Sequence, residues 1–146
     1  MVDRVSEAIG PHDTAIGEVA RTSGVNYIDE TSWLRHGDRP LLWVMANPAV
    51  AYFQIRPNRS QAAFVQLISD WTDILVSDGY RVYQAWEGLR QSCLAHLIRA
   101  AKGLAESVEA GMARFGSRVH AELQRLCHMK TERPTIERFS MGVRIT

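Results

Sequence analysis

Residues 73–80 read DILVSDGY, and their reading decides the fold. Three consecutive apolar residues, Ile74, Leu75 and Val76, run into Ser77, Asp78 and Gly79. A short strand that is apolar at every position suits burial on both faces, as in parallel pairing after a helical crossover. This one ends on a carboxylate. Asp78-Gly79 can be a turn that follows a strand. Asp78 can also be a ligand, because α/β sheets build their sites at the carboxyl ends of parallel strands.

Upstream, NRSQAAFVQLISDW (58–71) has the helical period, with Ala63, Phe64, Leu67, Ile68 and Trp71 on one side and Ser60 as the N-cap. Before it lie three segments rich in β-branched and aromatic residues: VNYIDETSWL (25–34), LLWVMA (41–46) and VAYFQIR (50–56). RHGDRP and NPA separate them as turns, so they can form an antiparallel meander. The order β-β-β-α-β gives an α/β mixed sheet: a meander, a crossover helix and a parallel strand, with flanking helices.

Downstream, RVYQAWEGL (81–89) is a short amphipathic piece. A helix follows with Leu94, Leu97, Ile98, Ala101, Leu104 and Val108 in one stripe, ended by Gly111. A last helix carries Val119, Leu123 and Leu126 on one side. Residues 1–20 are weakly patterned, with a short helix from about Thr14 to Arg21. The expected organisation is an N-terminal segment over 1–20, a core over 21–130 and an irregular tail over 131–146 after the last clear helical pattern.

The chain has 146 residues, 46% hydrophobic and 23% charged, which suits one globular domain with its own core. No apolar run has the length of a membrane span, and the N-terminus lacks an apolar signal core. Two cysteines are too few for a disulfide scaffold, so a cytoplasmic setting is expected. Residues 1–89 hold 7 basic and 11 acidic side chains, whereas residues 90–146 hold 10 and 5. Of the 17 basic residues 15 are Arg, the side chain suited to bidentate phosphate contacts. Nucleic acid held near a metal site would use this asymmetry, and so would an ordinary solvated helical surface.

Asp29 lies in the first predicted strand and Asp78 at the end of the fourth, 49 residues on. Crossover topology can make these strands neighbours. Two facing carboxylates repel unless a cation lies between them, and Mg²⁺ or Mn²⁺ is the expected cation because both take oxygen ligands. Two such ions, roughly 3.5–4 Å apart, can activate a water or a 3′-hydroxyl and stabilise the leaving oxygen of a phosphodiester. The plainer alternative is a turn at Asp78 and polar edge residues at Asp29 and Glu30.

Other residues admit two readings each. Cys93 and His96 have Cys-x-x-His spacing, but zinc needs two more ligands, and Cys127-His128 are poorly placed to supply them. They read better as scaffold beside the second Asp. Trp33 and Trp43 can stack bases or pack together across strands. Arg56, Arg59, Arg99 and Lys102 can touch the DNA backbone or remain solvated charges.

The stretches YIDETSWLRHGDRPLLWV (27–44), ILVSDGYRVY (74–83) and RQSCLAHLIRAAKGL (90–104) resemble, in order and spacing, the catalytic core of transposases of insertion-sequence family 66. That family belongs to the DDE transposases, with a ribonuclease H-like fold. The resemblance covers about residues 15–128. It implies Asp29 and Asp78 as the first two catalytic and metal-binding carboxylates, with His96 and Cys93 as auxiliary residues near the site. It also implies two divalent ions, DNA strand cleavage and transfer at transposon ends and target, and assembly as a homo-oligomer or with intact transposase.

The family's third carboxylate lies in an Asn-Asn-x-x-Glu-Arg motif that this sequence lacks. Glu137-Arg138 keeps only its last pair, and nothing in the spacing singles out Glu106 or Glu109 as a substitute. The expectation is a central fragment, truncated before the third carboxylate, with weak metal binding and little strand transfer. A non-catalytic DNA-binding or transposase-assembly remnant is the alternative.

Overall fold

The computed structural model describes residues 2–34 and 37–131. One compact unit runs through Cys93 and a second begins at Leu94. Of the tail expected over 131–146, Thr131 ends a helix and the rest lies outside the described residues.

The first unit opens with helix α1 (Val2–Arg21), followed by strands β1 (Val25–Ser32), β2 (Leu41–Ala46) and β3 (Ala51–Arg56). Helix α2 (Gln61–Ile68), strand β4 (Ile74–Ser77), the short helix α3 (Arg81–Gln84) and strand β5 (Arg90–Ser92) complete it. The sheet order is β3-β2-β1-β4-β5. β2 runs antiparallel to β1 and β3, whereas β4 runs parallel to β1 and β5. This is the mixed sheet expected from the sequence: an antiparallel meander, a crossover helix and a parallel strand.

Strand parity assigns the two faces of the sheet. Asn26, Ile28, Trp43, Met45, Tyr52 and Leu75 point to one side and are buried. Phe64, Leu67 and Ile68 of α2 and Tyr83 of α3 join the same core. Its centre is aromatic: Tyr83 meets Trp43, Phe64 and Tyr80 edge-on, and Trp71 stacks on Trp86 at 5.5 Å. The opposite face carries Tyr27, Phe53 and Ile55, each about half exposed.

Local chemistry sets the boundaries. Ser60 caps α2, its hydroxyl accepting from the Ala63 N–H at 3.2 Å, as its sequence position predicts. The buried Asn26 amide donates to the Ala20 carbonyl at 2.9 Å and ties the end of α1 to the start of β1. The Arg21 guanidinium donates twice to the Leu67 carbonyl, at 2.8 and 3.2 Å, and joins α1 to α2.

Three elements depart from expectation. α1 is longer than the predicted helix and passes through Pro11. β5 is three exposed residues with no apolar pattern, so its sequence carries no strand signal. α4 (Leu94–Ala105) stops before Val108 and α5 (Ala110–Thr131) begins ahead of Gly111, so Gly111 lies inside a helix rather than ending one. Ser107 makes the break: its hydroxyl accepts from the Glu109 N–H at 3.2 Å. The expected Trp33–Trp43 pairing also fails. Trp43 is opposite Glu30 in the register and fully buried, whereas Trp33 lies beyond β1 and is 44% exposed.

α4 and α5 form the second unit as a helical hairpin. A Cβ on the buried Gly116 would come within 2.6 Å of the Leu104 carbonyl carbon and 2.7 Å of its Cβ, so the helices approach there at backbone distance. In an exposed helix, Gly→Ala stabilises by about 1 kcal/mol. Here overpacking wins. Gly116→Ala is expected to destabilise the hairpin by about 1–3 kcal/mol, seen as a lower urea midpoint in far-UV circular dichroism. A midpoint that rises would contradict the close approach.

Candidate functional site

The register of β1 and β4 defines the site. Val25 pairs with Ile74, Asn26 with Leu75 and Tyr27 with Val76. The pairing runs to Tyr27 and Val76, so Asp29 lies two residues further along β1 and Asp78 is the first residue beyond β4. Alternate residues along a strand share a face. Asp29, inside β1, therefore shares the face of Tyr27 opposite the aromatic core, and Asp78 follows directly on the end of β4.

Each carboxylate is held by the backbone beside it. Asp29 Oδ1 accepts from the Glu30 N–H at 2.9 Å. Asp78 Oδ1 accepts from the Tyr80 N–H at 2.9 Å, an Asx-turn across Gly79. Both readings of DILVSDGY are thus compatible: the turn exists, and it fixes the carboxylate. Asp78 Oδ2 lies 3.7 Å from Arg59 Nη2, and the Asp78 side chain is 22% exposed.

Glu30 is on the other face. Its side chain is 1% exposed, ion-paired with Arg59 and hydrogen-bonded by the Tyr83 hydroxyl. The sequence treated it as an edge residue. The alternation Asn26–Ile28–Glu30 carries the signal that was missed, since it puts Glu30 on the buried side.

Arg59 leads into α2, with its Cζ 3.7 Å from the centre of the Tyr80 ring. The Tyr80 hydroxyl donates to the Arg59 carbonyl at 3.1 Å. Burial opposes the Arg59 charge, but the hydrogen bond and charge of Glu30, then Asp78 and Tyr80, outweigh it and raise its pKa. Tyr83 is pushed well above the ordinary phenol value, first by burial, then by the Glu30 hydrogen bond, then by the charges of Glu30, Asp78 and Asp29. All three carboxylates therefore act on one buried phenol.

The remaining predicted residues are dispersed. Arg56 donates to Gln54 Oε1 at 2.7 and 3.2 Å. Arg99 is exposed, and Lys102 pairs with Glu106 at 4.0 Å on α4. The Cys93 N–H donates to the Ser77 carbonyl at 2.7 Å, one residue before Asp78. His96 lies on α4, in the second unit.

Among the described residues no three His, Cys, Asp or Glu side chains gather to hold a metal ion. The carboxylates of Asp29 and Asp78 are oxygen donors of the type Mg²⁺ takes, one or two at a time, with water and phosphate completing its shell. No described helix is long and apolar enough to cross a membrane.

A family model described as "Transposase IS66 family" matches residues 1–140. Among solved structures, the HTLV-2 integrase catalytic core domain in complex with magnesium (trimeric form) aligns with 11% identity and a TM-score of 0.37, over 66% of this chain and 81% of that one. The BIV integrase catalytic core domain aligns with 16% identity and a TM-score of 0.37, over 75% and 99%. No curated protein matches.

The raised Tyr83 pKa predicts a pH dependence of stability. Its contribution is fully present below the unfolded value, about 10, and is lost as pH rises above it, because the unfolded chain releases the proton first. Urea unfolding at about pH 8, 9.5 and 11 should show stability falling across this range, and more shallowly in Tyr83→Phe. Equal slopes in the two proteins would contradict the burial of this phenol against Glu30.

Proposed function

The chain belongs to the IS66 transposase family, and from that premise we propose that Asp29 and Asp78 are its metal-binding catalytic carboxylates. The parallel pairing of β1 with β4 supports this reading, since Asp29 lies two residues beyond the last paired position of β1 and Asp78 two beyond that of β4. A divalent cation there, Mg²⁺ or Mn²⁺, would supply Lewis-acid chemistry, activating a water or 3′-hydroxyl and stabilising the departing phosphodiester oxygen.

The chain's own residues do the rest. The Glu30 and Tyr80 N–H groups fix one oxygen of each carboxylate, so the pair is orientated before any ligand arrives. The Asx-turn fixes Asp78 at the strand end. Tyr83 remains neutral and keeps its hydrogen bond to Glu30, which keeps that third carboxylate inside the core. The substrate is DNA, held by phosphate contacts from Arg side chains. Association with further transposase copies is part of the same proposal, as is modest affinity for the bare ion.

Calorimetric titration with Mg²⁺ and Mn²⁺ tests the site. Asp78→Ala is expected to weaken binding at least tenfold, with Asp29→Ala similar, while both keep the far-UV spectrum of the native protein. Equal affinity in native protein and Asp78→Ala would remove the assignment. Salt-dependent DNA binding that is unchanged by the double substitution would instead favour a non-catalytic DNA-binding role.

A further inference from the structure

We infer that Arg59 is a fixed countercharge that holds down the affinity of Asp29 and Asp78 for a bare divalent cation. The inference rests on the metal-site reading above and adds a residue that works against it until an anion arrives.

Arg59 is 39% exposed, yet its guanidinium is tied on three sides. Nε pairs with the buried Glu30 carboxylate, the guanidinium plane region lies 3.7 Å from the centre of the Tyr80 ring, and Nη2 lies 3.7 Å from Asp78 Oδ2. The looser of its two carboxylate contacts is the one to the proposed metal ligand. Arg59 is thus anchored by Glu30 and Tyr80, and only leans on Asp78. Glu30 is 1% exposed, so swinging Arg59 away would leave a buried carboxylate without its ion pair. Holding the guanidinium in place is the cheaper arrangement.

A positive charge fixed beside Asp78 has two consequences. It relieves repulsion between the two aspartates in the metal-free protein. It also repels an incoming cation, so the bare ion binds weakly. A DNA phosphate would offset that repulsion, because it can accept hydrogen bonds from the exposed part of the guanidinium. Metal loading is thereby tied to the presence of DNA.

The test is Mn²⁺ titration, without DNA, of native protein, Arg59→Met, Arg59→Lys and Asp78→Ala. Arg59→Met should bind Mn²⁺ about tenfold more tightly than native protein, less than the full Coulomb value because the site is partly exposed. Arg59→Lys keeps the charge and should remain within about threefold of native. Should the buried Glu30 unfold Arg59→Met, the double variant Glu30→Gln/Arg59→Met removes the stranded charge and should also bind more tightly than native. Affinity that is unchanged or lower without the Arg59 charge, with binding lost in Asp78→Ala, would overturn the role of Arg59 and leave the metal site standing. Equal binding by native protein and Asp78→Ala would overturn both.

Discussion

The pairing of β1 with β4 is the constraint on which the rest depends. Three register pairs align the two strands, and a slip of β1 by one position would turn Asp29 to the other face. The register is well secured. The Ile74 N–H donates to the Gly24 carbonyl at 3.2 Å, and the Trp71 indole donates to the Ser23 carbonyl at 2.7 Å. On the core side Asn26 and Leu75 are fully buried, and Asn26 spends its polar groups on Ala20 and Asn47. Burial and hydrogen bonding both specify one alignment.

Adjacent residues on a strand face opposite ways, so Asp29 and Glu30 have opposite surroundings although they are neighbours in sequence. Asp29 is on the face of Tyr27, away from the aromatic core. Glu30 enters an aromatic core, where a lone carboxylate would cost several kcal/mol. Arg59 and Tyr83 answer that cost with an ion pair and a hydrogen bond. The ion pair also brings the Arg59 guanidinium to within 3.7 Å of Asp78. Core electrostatics and site electrostatics are therefore linked through a single side chain.

Much of this was legible in the sequence. The apolar run before Asp78 announced a buried parallel strand, the meander was marked by its turns, and Ser60 was readable as a cap. The two aspartates stood out because carboxylates are rare at such positions. What escaped was decided by long-range packing. β5 has no apolar pattern of its own and exists because β4 offers it an edge. α4 stops at Ala105 although the apolar spacing runs on to Val108, and the Ser107 hydroxyl takes the Glu109 N–H in the gap before α5. Glu30 was hidden by its charge, although strand alternation pointed it inward. Arg59 looked like any surface arginine, because its partners lie 21 and 29 residues away.

The central claim is that Asp29 and Asp78 meet at one sheet edge to share a cation. Anomalous scattering from a crystal grown with Mn²⁺ and short duplex DNA tests it most directly. The account predicts an anomalous peak within bonding distance of an oxygen of each aspartate. A peak ligated elsewhere, or aspartate side chains too far apart to reach one ion, would contradict it.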